Sequence, residues 1–182
     1  VAVVEVAGIL PDGRLIPSSS VGNNKTWLDH ADHIILEVNS HQNIGLEGMH
    51  DIYYGTRLPP LRRPIPLLHP GDRIGDHYLQ CDLNKVIAVV ETQQPDRNSA
   101  FAAPDENSER IAGHIIDFLQ REVKAGRLPP ELLPLQSGVG NIANAVLIGL
   151  NKGPFENMTA YTEVLQDGML DMLRSGKLAM AS

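Results

Sequence analysis

The stretch LQSGVGNIANAV, at residues 135–146, constrains the fold of this chain more than any other part of it. It predicts a strand, then a glycine turn, then a helix. The glycines at 138 and 140 leave room for backbone N–H groups of the turn to face a bound anion. Asn141 is expected to cap the helix. The apolar face of that helix is expected to comprise Ile142, Ala145, Val146 and Leu150.

A second informative stretch, YTEVLQDG at residues 161–168, follows a short way along the chain. Residues 158–164 predict a strand that ends near Glu163, and Asp167-Gly168 predicts the turn into another helix. In open α/β sheets, ligands bind at the carboxyl ends of strands. The sequence therefore predicts an anion-binding turn and a carboxylate at neighbouring strand ends.

The remaining periodicity favours an α/β fold. Residues 1–6, 33–38 and 85–90 are rich in Val and Ile, which is typical of strands buried on both faces of a parallel sheet. Residues 106–124 predict a helix that Gly126 closes. Its apolar face is expected to hold Ile111, Ile115, Phe118, Leu119 and Val123. The polar, turn-rich stretch at 91–99 predicts a boundary between one domain at residues 1–95 and a second at residues 96–182.

From the residues alone, the glycine turn has more than one interpretation. Gly138-x-Gly140-x-x-Ala143 satisfies the dinucleotide-binding pattern, with Glu163 as the ribose-binding acid, and this would make the protein an NAD(P)-binding oxidoreductase. Pro134 speaks against it, because a proline sits poorly in the central strand that such a unit needs. The same residues also fit another interpretation, in which the glycines only begin a helix and bind no ligand.

A resemblance favours a different function. LQSGVGNIANAVLIGL and YTEVLQDGML resemble the acetyl-CoA hydrolase/transferase family, a branch of the class I coenzyme A transferases, and so do SVGNNKTWLDHADHIILEVN, GDRIG and KVIAVVETQQPDR. The resemblance implies a CoA-transferase-type α/β fold, with open sheets and flanking helices. It also implies that residues 1–95 end a first CoA-transferase domain and residues 96–182 begin a second. The chain is accordingly expected to be an internal fragment of a two-domain enzyme.

The resemblance further implies the chemistry. Glu163 is expected to be the covalent nucleophile, and Gly138, Val139, Gly140 and Asn144 are expected to contact coenzyme A or the acyl group. The implied reaction is CoA transfer between short-chain carboxylic acids through a glutamyl-CoA thioester, or acetyl-CoA hydrolysis. Coenzyme A is then a substrate, and no metal or tightly bound cofactor is expected. A homodimer is the assembly expected if the enzyme is not a monomer.

Composition limits the classes of partner and the cellular location that are expected for this protein. A net charge of −7 and a pI of about 5.4 argue against nucleic acid or an anionic membrane as the main partner. No apolar run approaches the length that spans a bilayer. Cys81, the single cysteine, excludes an internal disulfide and fits a reducing compartment, so a cytoplasmic location is expected, or a mitochondrial one in a eukaryote.

Overall fold

A computed structural model describes residues 1–97 and 103–182. They form two compact units, the first drawn from Val1–Pro66 and Arg73–Asn98, the second from Leu67–Asp72 and Ser99–Ser182. The predicted boundary segment at 91–99 reaches residues outside the described ranges. The assignment of residues 1–95 and 96–182 to successive domains of a longer enzyme stays a prediction.

The first unit is built on a four-stranded sheet with one helix inserted between its second and third strands. In chain order the elements are β1 (Ala2–Ile9), β2 (Leu15–Pro17), α1 (Asn24–His30), β3 (Ile34–Asn39) and β4 (Val86–Thr92). The strand order is β2-β1-β3-β4, with β1, β3 and β4 parallel and β2 antiparallel to β1. Short 3₁₀ helices at Ile44–Leu46 and Leu83–Lys85 interrupt a long connection that is otherwise mostly irregular, as its prolines predict.

One face of this sheet carries the core of the first unit. Val4 and Val6 of β1 are fully buried, whereas Val3 between them is exposed. The prediction of strands buried on both faces is therefore wrong for β1. It is also wrong for β4, where Ile87, Val89 and Val90 remain exposed. Side chains of a strand project from the two faces of a sheet, so the exposure of these three shows that the described residues cover β4 only in part.

The second unit alternates short parallel strands with helices. Its elements are α2 (Glu106–Lys124), α3 (Asn141–Lys152), β5 (Met158–Ala160), α4 (Asp167–Arg174) and β6 (Leu178–Ala181). β5 pairs with β6 in parallel, and Leu135 adds a parallel bridge to Ala160 on the other side of β5. The glycine turn and Glu163 therefore follow two neighbouring parallel segments. Fully buried core residues here include Met158, Ala160, Met169, Met172 and Leu147.

Helix α2 spans the predicted residues and has the predicted end, with Gly126 at a φ of 70°. Its predicted face is right at Leu119 and Val123, which pack against the core of this unit, and wrong nearer the start of the helix. Ala112 and Ile116 are buried, whereas Phe118 is 54% exposed and Ile111 is exposed as well. Small residues allow the close approach of α3 on this side, because a Cβ added to Gly149 of α3 would lie 3.1 Å from Cγ1 of Ile116.

The two units together confirm the predicted α/β class with open sheets and flanking helices. Among the described residues, no helix has both the length and the apolar character needed to cross a bilayer.

Candidate active site

The glycine turn leads directly into α3. Gly140 occupies the N-cap position with φ 136° and ψ 170°, a backbone conformation that L-residues with a side chain rarely adopt. Asn141 is consequently the first helical residue, so its prediction as the cap is wrong by one position. A Cβ added to Gly138 or Gly140 would meet no atom within 4 Å. The turn is therefore open to an approaching ligand.

The backbone N–H groups are the main polar feature of this turn. Within the described parts of the chain, the N–H groups of residues 138–143 find no acceptor. The first bonded one is the N–H of Asn144, which donates to the Gly140 carbonyl at 2.9 Å. Unpaired N–H groups and the positive end of the helix dipole together make such a terminus favourable for an anion. Val139, in the middle of the turn, is 63% exposed.

Glu163 lies in a short irregular segment after β5. The strand ends at Ala160, so the prediction that it extends to residue 164 is wrong. The N–H of Tyr161 still donates to the Leu135 carbonyl at 2.9 Å, and that of Thr162 donates to the Ser182 carbonyl at 2.8 Å. The chain then leaves the sheet. The carboxylate of Glu163 is exposed and makes no hydrogen bond or ion pair with the residues described by the structure.

Two side chains tie the segment around Glu163 to the glycine turn. On one side of Glu163, the hydroxyl of Thr162 lies 3.4 Å from the carbonyl oxygen of Ser137. On the other side, Nε2 of Gln166 donates to Oγ of Ser137 at 3.1 Å and to the carbonyl of Gly138 at 2.5 Å. The structure thus places the segment that contains Glu163 directly beside the glycine turn.

Local sequence patterns do not identify Thr162 and Gln166 as site residues. Both flank Glu163 in a short stretch between a strand and a helix, where a polar side chain is usually assigned to solvent. A signal was available for Gln166 alone. It lies three residues before the apolar Met169, on the same face of α4, and a side chain on that face is expected to be buried.

Asn144 lies at the contact between α3 and α4. It is half-buried, and its Oδ1 would lie 3.4 Å from a Cβ added to Gly168. Gly168 follows Asp167, where α4 begins as the Asp-Gly pair predicts. The lack of a side chain at Gly168 is what lets α4 approach α3 beside the glycine turn.

Comparison with known proteins assigns the class. The family model described as the acetyl-CoA hydrolase/transferase N-terminal domain matches residues 1–91, half of the chain, and the chain belongs to this family. The expected family is therefore confirmed.

Individual relatives carry two kinds of name. The chain is 43% identical over 182 residues to a succinyl-CoA:acetate CoA-transferase of Clostridium kluyveri and 44% identical over 182 residues to an acetyl-CoA hydrolase of Yarrowia lipolytica. In both comparisons the match covers 100% of this chain and 34% of the relative. A propanoyl-CoA:succinate CoA transferase of Escherichia coli is 40% identical over 183 residues, with 100% of this chain and 37% of the relative covered. The chain thus spans about a third of the length of these curated relatives.

Solved structures support the fold. RipA from Yersinia pestis aligns with a TM-score of 0.60 at 19% identity, over 97% of this chain and 31% of that one. A 4-hydroxybutyrate CoA-transferase from Porphyromonas gingivalis aligns with a TM-score of 0.57 at 21% identity, over 97% and 34%. The expected CoA-transferase-type fold is confirmed. None of the relatives named above is an oxidoreductase, so the dinucleotide interpretation of the glycine turn gains no support from them.

Proposed function

We propose that the whole enzyme transfers coenzyme A between short-chain carboxylic acids, or hydrolyses acetyl-CoA when water replaces the acceptor acid, with Glu163 as the covalent nucleophile. One observation carries the proposal. Thr162 and Gln166, on either side of Glu163, are hydrogen-bonded to the residues that open the glycine turn. The names of the relatives, which include both transferases and hydrolases, support the same reaction class.

The proposed reaction passes through two kinds of covalent intermediate, a mixed anhydride and a thioester. The Glu163 carboxylate attacks the thioester carbon and the C–S bond breaks. CoA departs as the thiolate, and the acyl group stays on Glu163 as a mixed acyl-glutamyl anhydride. The thiolate then attacks the glutamyl carbonyl and releases the first carboxylate, which leaves a glutamyl-CoA thioester. A second carboxylate reverses these steps and departs as its own CoA ester. Each thioester is exchanged for another, so the reaction consumes neither ATP nor a redox equivalent.

The glycine turn is proposed to bind the anionic parts of this system. The free N–H groups around Gly138, Val139 and Gly140 suit either a phosphate of CoA or the oxyanion of a tetrahedral intermediate. Asn144, one helical turn into α3, is proposed to contact the bound CoA beside them. A nucleophilic carboxylate reacts faster when water is excluded, so we propose that bound substrate covers the exposed Glu163.

The partners, the cellular location and the assembly of the enzyme are also proposals. Acyl-CoA and small carboxylates are the proposed partners, consistent with the names of the relatives. A cytoplasmic location, or a mitochondrial one in a eukaryote, is proposed from the single cysteine Cys81. A homodimer is proposed as the assembly, and light scattering of the full-length protein would test it.

The decisive experiment locates the covalent adduct. Full-length protein is incubated with acetyl-CoA and no acceptor, digested, and analysed by mass spectrometry, where a CoA thioester is expected on the peptide that contains Glu163. Glu163→Ala should abolish both the adduct and transfer, and Glu163→Asp should lower transfer about 10²-fold, because it withdraws the carboxylate by roughly 1 Å. Glu131→Ala, at an exposed glutamate of the same unit, is the matched control and should leave both unchanged.

The adduct experiment can also refute the proposal. An adduct on another residue, or near-normal transfer by Glu163→Ala, would remove Glu163 from the mechanism. Calorimetric titration with CoA and with NAD separates the two interpretations of the turn, since heat is expected with CoA only. Tight binding of NAD without binding of CoA would favour the oxidoreductase.

A further inference from the structure

We propose that Gln166 is a positioning residue that sets the direction of the peptide unit between Gly138 and Val139. Its amide holds the Gly138 carbonyl towards the protein interior, and this turns the Val139 N–H towards the ligand side of the glycine turn. The consequence for catalysis rests on the proposed function, whereas the orientation of the peptide can be observed independently of it.

The position of Gln166 is fixed by its surroundings. The side chain is only 1% exposed. Its backbone carbonyl accepts hydrogen bonds from the N–H groups of Met169 at 2.9 Å and Leu170 at 3.2 Å, in the first turn of α4. The amide therefore extends towards the glycine turn from a rigid helix terminus.

The orientation of the amide follows from its partners. Nε2 lies 2.5 Å from the Gly138 carbonyl oxygen, which can only accept a hydrogen bond. A flipped amide would place two oxygens against each other at this distance. The hydroxyl of Ser137 accepts from the same nitrogen and itself donates to the Gly138 carbonyl at 3.2 Å. Two donors thus converge on one carbonyl oxygen.

A fixed carbonyl determines the direction of the next N–H. The only cis bond among the described residues joins Pro59 and Pro60, so the peptide between Gly138 and Val139 is trans. In a trans peptide the C=O and N–H groups point in opposite directions. Because the Gly138 carbonyl faces the buried Gln166, the Val139 N–H faces the open side of the turn. Glycine has little intrinsic preference between backbone conformations, so this peptide would rotate readily without such a restraint.

The other end of the same amide argues against a role in stability alone. Oε1 of Gln166 is buried and has no hydrogen-bond partner among the described residues. An unpaired buried acceptor is unfavourable for folding, and an unbranched apolar side chain of similar length would avoid that cost. Met169 and Met172 nearby show that methionine packs well in this core. We therefore expect Gln166→Met to separate stability from activity.

The test uses the full-length protein and compares three variants. For Gln166→Met, we expect a melting temperature equal to that of the wild type or higher, a kcat/KM for CoA transfer about 10²-fold lower, and a crystal structure in which the peptide between Gly138 and Val139 has rotated. Gln120→Met, at a half-buried glutamine of α2 whose side chain bonds no described residue, should change neither activity nor the turn. Met172→Ala, at a fully buried methionine further along α4, should lower the melting temperature while the kcat/KM of the folded protein stays unchanged.

Each outcome decides a different point. Wild-type kcat/KM in Gln166→Met, or an unrotated peptide in its crystal structure, would overturn the positioning role. A loss of activity that only tracks the loss of folded protein would also overturn it. If the wild-type protein transferred no CoA while the peptide rotated in Gln166→Met, the proposed function would fail and the positioning role would stand.

Discussion

Replacement of Gly168 by alanine gives a sharp test of how α3 and α4 are packed. A Cβ at this position would lie 2.9 Å from Cβ of Leu147 and 3.3 Å from Cδ1 of the same residue. Cβ of Leu147 is attached to the backbone and cannot rotate away. The helices would have to separate by about 0.5–1 Å to restore ordinary carbon–carbon contact distances.

The net change in the free energy of unfolding is the difference between the cost of overpacking and the gain in helix propensity. Overpacking of a core costs about 1–3 kcal/mol. Alanine recovers about 0.5–1 kcal/mol relative to glycine inside a helix, and less at the second residue of α4. We therefore expect Gly168→Ala to lower the free energy of unfolding by about 1–2 kcal/mol. Gly113→Ala is the matched control, because a Cβ added there, in the middle of α2, meets nothing within 4 Å. It should instead stabilise by about 0.5–1 kcal/mol.

Urea unfolding of the chain can separate the two units. Circular dichroism at the helix band reports mainly α2, α3 and α4 of the second unit, whereas the single tryptophan, Trp27 on α1, reports on the first. Both substitutions should shift the circular dichroism transition, in opposite directions, and leave the Trp27 fluorescence transition in place. Equal shifts of the same sign for Gly168→Ala and Gly113→Ala would refute the packing argument.

Two further predictions concern the stability of the chain. Hydrogen bonds from the side chain and the backbone N–H of Ser108 hold the pKa of the Asp105 carboxyl below its ordinary value, so this cap stabilises α2 above about pH 4 and loses its effect as the pH falls through the lowered pKa. The difference in melting temperature between the wild type and Asp105→Ala should be full near pH 7 and shrink below about pH 4; a constant difference across that range would contradict the assignment. Met158→Ala, in the fully buried core, should cost about 2–5 kcal/mol in urea unfolding, whereas Met49→Ala, at an exposed methionine, should stay within about 0.5 kcal/mol, and similar values for the two would contradict the burial.

Sequence periodicity predicts the extent of α2 and the packing of Leu119 and Val123, but it misplaces part of the buried face. The pattern of large apolar residues points to Ile111 and Phe118, yet the buried residues are Ala112 and Ile116, and Ile116 lies against Gly149 of α3. Small side chains permit helices to approach closely but contribute little to a hydrophobic pattern. Periodicity therefore does not reveal a tertiary contact that depends on Ala and Gly. For the same reason, Gly168 was predictable as part of a turn but not as the place where two helices touch.

The sequence predicts the individual segments of the candidate site better than it predicts the hydrogen bonds between them. Backbone chemistry localises the glycine turn, because glycines before a helix imply free N–H groups whatever surrounds them. The strand after α3 is shorter than its predicted range of 158–164, which rests on β-branched residues such as Val164 that favour a strand by composition. The chain instead leaves the sheet after Thr162 bonds to Ser182. The link through Gln166 joins residues 28 positions apart in sequence, and local patterns carry no information on such a contact.

The exposed outer edge of β4 has a practical consequence for handling the chain. Within the described residues, β4 has a partner only at β3, and it presents Ile87, Val89 and Val90 to solvent. Unpaired strand edges rich in β-branched residues are templates for intermolecular pairing and aggregation. A lysine at position 89 would act as a gatekeeper at that edge. Preparations of the chain carrying Val89→Lys should accordingly stay monodisperse up to a higher concentration than preparations of the unmodified chain.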